Sequence, residues 1–141
     1  MSETSIRKAS CHCGQVQFEA ELPAELAPSR CNCSICARKG AAMVYVLLDQ
    51  LTVTAGEDKL SCYQYNTRVA KHYFCSHCGI HCFHQARSDP DKYAINAATI
   101  EGVRVYEDFA RMPVNDGVQH ILDNDGVRRT AGFLLFEKTP G

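Results

Sequence analysis

Cys75-Ser76-His77-Cys78-Gly79 carries two cysteines in Cys-x-x-Cys spacing with a glycine behind them, and on its own it cannot close a tetrahedral metal site. Two sulfurs this close can converge on one ion, and the glycine lets the backbone turn tightly around it. The pair therefore needs a partner pair. Cys11-His12-Cys13-Gly14 is the other two-sulfur cluster and has the same trailing glycine. Joining Cys11 and Cys13 to Cys75 and Cys78 predicts a structural zinc that ties the start of the chain to its middle and contributes directly to folding free energy.

The segments around these knuckles read as short strands. Gln15–Leu22 alternates polar and apolar residues, the period of a half-buried strand. Met43–Leu48 is a short apolar run that suits a buried strand, and Leu51–Ala55 alternates cleanly until Gly56. Leu60–Tyr65 and Val69–Phe74 flank Asn66-Thr67-Arg68 and predict a hairpin that feeds the third cysteine cluster. His81–His84 leaves that cluster as another strand, and Tyr93–Ala98 reads the same way. Residues 1–9 read as a frayed end, and Pro23 and Pro28 bracket a loop. In the tail, Asn124-Asp125-Gly126 signals a turn, and Gly132–Phe136 reads as a final strand or a tucked apolar segment. Helical periodicity is scarce. The expected class is mainly β, a single domain over residues 1–141 built of short strands pinned by metal knuckles.

A third cluster lies between the outer pairs: Cys31-Asn32-Cys33-Ser34-Ile35-Cys36. Its three sulfurs could bind one zinc from a single loop. Structural zinc normally takes four protein ligands, whereas catalytic zinc keeps a position open, so the count of three points to chemistry. The alternative is a closed site whose fourth ligand is His12, His72, His77, His81, His84, Cys62 or Cys82. Cys62 reads better as a small buried hydrophobe. His12 and His77 read as bystanders within their knuckles, while His81 and His84 could face the metals.

Bulk properties narrow the class. Hydrophobic residues at 45% and charged residues at 22% are globular values that argue against disorder. A formal net charge of -1 gives no basic surface for phosphate, so nucleic acid is not expected as a partner. No apolar run approaches the roughly 20 residues that span a bilayer, and the polar start lacks a secretory h-region. The expected location is cytoplasmic, where thiols stay reduced and dense cysteine signals metal or catalysis rather than a disulfide framework.

As an ordered set, Cys11–Phe18, Cys31–Gly40 and Phe74–Gly79 resemble the glutathione-dependent formaldehyde-activating enzyme family, which includes centromere protein V. The resemblance spans residues 11 to 85. Beyond it, Ala98-Thr99-Ile100-Glu101 stands where family members often carry a Leu-Asp step. The resemblance implies a β-tent fold of short antiparallel sheets, with a structural zinc on Cys11, Cys13, Cys75 and Cys78. It also implies a catalytic zinc on Cys31, Cys33 and Cys36, and a carbon–sulfur lyase that joins glutathione to formaldehyde to give S-hydroxymethylglutathione.

Three thiolates give zinc a net charge of about -1, a poor Lewis acid but a good holder of a nucleophilic thiolate. Glutathione suits the open position on that ground, and the second zinc is expected to be the more labile of two per chain. Arg38, Lys39, Arg68 and Lys71 lie near enough to offset the anionic cluster or hold carboxylates, although each reads more simply as a solvated charge. Two other readings remain open: a non-catalytic zinc-stabilised β module that binds a protein, and a lyase of this scaffold acting on another thiol conjugate. Assembly into a homo-oligomer is compatible with all of them.

Overall fold

The structure, a computed structural model, describes residues 3–87, 89–118 and 129–141. Mainly β, it has eleven strands in three sheets among the described residues. The largest sheet runs in the order β4 (Met43–Leu47), β9 (Lys92–Asn96), β8 (His81–Gln85), β7 (Lys71–Cys75), β6 (Leu60–Tyr63), antiparallel throughout. A second joins β1 (Thr4–Ser10), β2 (Gln17–Pro23) and β5 (Leu51–Ala55). The third joins β11 (Thr130–Leu135), β10 (Arg111–Asn115) and β3 (Arg30–Cys31). Its β3–β10 pairing is parallel, a departure from the all-antiparallel expectation. Two short helices, α1 (Ser34–Lys39) and α2 (Val105–Asp108), complete the regular elements apart from single 3-10 turns.

The core forms where β2 meets the five-stranded sheet. Alternation along β2 buries Phe18, Ala20 and Leu22 on one face. The Phe18 ring meets Phe83 of β8 edge to face at 5.2 Å, and Phe83 in turn contacts Tyr73 and Tyr93. Such aromatic pairs contribute beyond their buried area and fix how the sheets face each other. The frayed end expected over residues 1–9 is corrected for its described part: Thr4–Ser10 pairs along its whole length with Gln17–Pro23. Only Ala9 of that strand is buried, and its charged residues suit an edge that must resist further pairing.

The predicted hairpin is present, with Asn66 and Arg68 both at positive φ in its turn. Gly132–Phe136 resolves into β11, with the Arg111 guanidinium 3.7 Å from the centre of the Phe133 ring. The Asn124-Asp125-Gly126 signal lies outside the described residues. Among the described residues no helix is long and apolar enough to cross a membrane.

At Gly56, which ends β5, the left-handed backbone and a close approach coincide. Its φ is +73°, and a Cβ there would lie 1.9 Å from the carbonyl oxygen of Gln15. Gly56→Ala is therefore expected to lower stability by about 2 kcal/mol or more. Gly132→Ala, which meets nothing within 4 Å, should stay within about 0.5 kcal/mol of the parent. Denaturant unfolding of the two variants checks this, and equal losses would contradict the close approach at Gly56.

Candidate metal centres and the cavity beside them

The two outer knuckles are built alike. In each, the first cysteine's amide donates across the turn, Cys11 to the Val16 carbonyl at 3.0 Å and Cys75 to the Ile80 carbonyl at 3.0 Å. In each, a backbone amide also points at the first sulfur, from Val16 to Cys11 and from Cys78 to Cys75. Because β1–β2 and β7–β8 pack around one core, the knuckles meet, and all four sulfurs lie within 4.8 Å of one another. The Cys11–Cys13 and Cys13–Cys75 sulfur separations are 3.5 and 3.7 Å. Zinc–sulfur bonds of about 2.3 Å give a tetrahedral edge of about 3.8 Å, so the arrangement fits a zinc. His12 and His77 are exposed and outside the group, as expected of bystanders.

The middle trio is held differently. Cys31 ends β3, Cys33 precedes α1, and Cys36 lies within the helix. All three sulfurs lie within 4.8 Å of one another, and among the described residues no fourth cysteine, histidine or carboxylate joins them. Of the seven side chains weighed as a fourth ligand, none closes the group. Hydrogen bonds from Cys31 and Cys36, with the amides of Cys36 and Ile35, pull the Cys33 thiol down to about 2. The same sulfur contacts push Cys36 up, and the hydrogen bond to Cys33 pushes Cys31 up. One negative charge is therefore accepted and two more are resisted. A divalent cation removes that conflict, which makes the trio a fitting donor set for zinc.

The loop carrying the trio is fixed by a segment of the tail. Asn115 and Cys31 are paired in the parallel β3–β10 ladder, and the Asn32 amide donates to the Asn115 carbonyl at 3.2 Å. Asn32 Oδ1 accepts from the amides of Gly117 and Val118 at 2.7 and 3.1 Å. Gly117 passes so close that a Cβ would lie 2.5 Å from Cys31 Sγ and 2.7 Å from Cys33 Cβ. None of Asn32, Asn115 and Gly117 was anticipated, although Asp116-Gly117 is a turn dipeptide that could have drawn notice.

A cavity of about 290 Å³ opens beside the trio, lined by Cys31, Cys33, Cys36, Tyr65, His72 and His84 among others. That is near the lower end of small-molecule sites, which run from about 300 to 1,000 Å³. Tyr65 and His72 stack in its lining with centroids 6.0 Å apart, and Tyr63 stacks on Tyr65 at 5.6 Å. Behind His72 sits Lys39, the last residue of α1. Its Nζ is 2.7 Å from His72 Nδ1 and 3.3 Å from His84 Nδ1. His81 Nε2 is 3.3 Å from that same His84 nitrogen. Sheet register explains the convergence, since His72 of β7 and His84 of β8 are direct cross-strand partners.

A model of the glutathione-dependent formaldehyde-activating enzyme family matches residues 6–112. The chain belongs to this family. A crystal structure of a Rhodobacter sphaeroides protein is similar to it at 44% identity and a TM-score of 0.68, covering 71% of this chain and 93% of that one. All seven clustered cysteines fall within the family match, which is wider than the span from residue 11 to 85 over which the sequence resembles the family. The family match stops at Met112, so Asn115 and Gly117, which fix the trio's loop, lie beyond it.

Two expectations about single residues are corrected. Cys62 is exposed on β6 rather than buried; Cys82 is the buried one, with burial pushing its thiol up to about 12. Lys39 is not a solvated charge. Burial depresses its ammonium to about 8, against the pull of Cys36, Cys33 and Cys31. Arg38, Arg68 and Lys71 are exposed, in keeping with solvated charges.

Gly117→Ala is expected to weaken metal binding by the trio while the outer cluster keeps its metal, read as the metal-to-protein ratio after dialysis. An unchanged ratio would show that the tail does not constrain the trio. A second expectation concerns pH. Burial, with Lys39 nearby, lowers His72 to about 4 and His81 to about 3, from 6.5. Both are depressed, so the stability they contribute is complete above about pH 6.5 and is lost as pH falls toward 4 and below. Imidazole NMR of the metal-loaded protein at about pH 5.5 should find both rings neutral, where an unperturbed histidine would be largely charged.

Proposed function

We propose that the chain is a zinc-dependent carbon–sulfur lyase that acts on glutathione adducts and joins glutathione to formaldehyde as S-hydroxymethylglutathione. The observation that carries this reading is the trio itself: three sulfurs within 4.8 Å, no fourth ligand among the described residues, and a cavity on the open side. Membership of the family supports the substrate pair.

In this reading Cys11, Cys13, Cys75 and Cys78 hold a structural zinc, and Cys31, Cys33 and Cys36 hold the catalytic one. When bound, the second zinc supplies stabilisation of a substrate thiol in its thiolate form, because a coordinating metal deprotonates a thiol that is otherwise mostly protonated at neutral pH. The chain's own groups do the rest. The three cysteines lie on one wall of the cavity and fix where a thiol enters. Tyr65 and His72 form a flat wall that limits the approach of the carbonyl partner. The Lys39 ammonium, held behind that wall, offsets part of the negative charge that accumulates as a fourth sulfur arrives. Crowding by these walls orients the two reactants, which is the cheapest acceleration an addition can receive.

Zinc stoichiometry tests the assignment. Purified protein is expected to hold two zincs per chain; Cys33→Ser should lose one and keep its fold, whereas Cys75→Ser should unfold the domain. If Cys33→Ser unfolds as readily as Cys75→Ser, the trio is structural and the lyase reading loses its basis. Millimolar glutathione should shift the cobalt–thiolate spectrum of metal-substituted protein, and an unperturbed spectrum would remove glutathione as substrate.

A further inference from the structure

Four groups converge at the cavity wall: His72 from β7 and His84 from β8, both buried, with Lys39 from α1 and His81 from β8, both half-buried. With Lys39 protonated, the contacts of its ammonium fix the roles of the two nitrogens nearest to it. A lysine ammonium has donors only, so the two imidazole nitrogens nearest Nζ, His72 Nδ1 and His84 Nδ1, must accept. A neutral imidazole that accepts at Nδ1 carries its proton on Nε2. His72 is therefore the Nε2–H tautomer.

That proton has no protein acceptor. Among the described residues, His72 Nε2 is a buried side-chain nitrogen without a hydrogen-bond partner, on a residue only 4% exposed. Buried donors are nearly always satisfied, and the exceptions cluster where a ligand completes them. His72 lines the cavity that also holds the three cysteines, and its stack on Tyr65 fixes the ring plane. Nε2 itself is closed off from solvent, and an acceptor oxygen brought against the ring from the cavity would complete it.

We propose that His72 is the general acid of the addition and that Lys39 is the positioning residue that sets its tautomer and restores its proton. The proposal rests on the reading of the site as one that joins a thiol to an aldehyde. The substrate thiol gives up its proton on entering the site. A sulfur lone pair then forms the carbon–sulfur bond, and the carbonyl π pair moves onto oxygen. That oxygen takes the proton from His72 Nε2 as His72 Nδ1 takes one from Lys39 Nζ. The thiol's proton passes to solvent, and Lys39, left as a neutral amine, takes one back from solvent, so thiol plus aldehyde gives the hydroxy thioether with nothing left over. In the reverse direction the same groups remove the hydroxyl proton and the carbon–sulfur bond breaks.

The test uses zinc-loaded protein and has two readouts. Nitrogen-resolved NMR of wild-type imidazoles should place the His72 proton on Nε2, and Lys39→Met should shift that ring; a proton on Nδ1 overturns the proposal without any turnover measurement. In kinetics, His72→Phe keeps the stack on Tyr65 but has no proton to give. It should retain two zincs and bind glutathione within about twofold of wild type, while the adduct forms about 100-fold more slowly. Lys39→Met fills the same volume and should show a similar loss, with Lys39→Arg restoring part of it; it serves where His72→Phe does not fold. An unimpaired rate in zinc-replete His72→Phe or Lys39→Met overturns the relay alone. A wild type that binds glutathione but forms no adduct overturns the parent reading instead, and the catalytic role of His72 with it.

Discussion

Repulsion between neighbouring thiolates is the constraint on which the rest of this structure depends. Seven cysteines are drawn into two groups whose sulfurs lie within 4.8 Å of one another, distances at which several negative charges cannot coexist without a cation. The β framework brings those sulfurs together, and a bound metal turns the conflict into attraction. A metal held there would join a knuckle after β1 to one after β7, closing a long loop that hydrophobic packing alone would otherwise have to hold.

The two groups differ in what holds them. Both halves of the outer group are self-contained turns in which backbone amides already point at the sulfurs. The trio is instead held from three sides, by β3, by the start of α1 and by the tail residues that bond to Asn32. An arrangement with an open face needs this outside support, since among the described residues no fourth cysteine, histidine or carboxylate completes its geometry. The same helix that carries Cys36 ends in Lys39, so one short element sets both the thiol and the half-buried cation.

Much of this was legible in the sequence because cysteine spacing and alternation are local signals. The ligand groups and most strands of the five-stranded sheet follow from residues close together in the chain. The remainder depended on distant partners. Thr4–Ser10 looked frayed because an edge strand needs little apolar surface, and only Ala9 is buried there. Helix α1 is six residues long, too short to show a period. Pro113 disguised β10; β3 pairs only with Val114 and Asn115, so the proline costs that ladder no hydrogen bond. Lys39 looked solvated because the histidines that enclose it come from β7 and β8, more than thirty residues away.

The position of the tail has a consequence for how the molecule is made. Synthesis runs from the first residue to the last, and the outer sulfurs are all present once Cys78 has emerged. The trio's loop waits for Asn115, Gly117 and Val118, which come much later. The two clusters can therefore form in sequence: the outer one can assemble once Cys78 is made, and the trio takes its final shape only after Val118 has followed. A chain cut short before β10 would keep all four outer cysteines and lose the backbone partners that shape the loop of the trio.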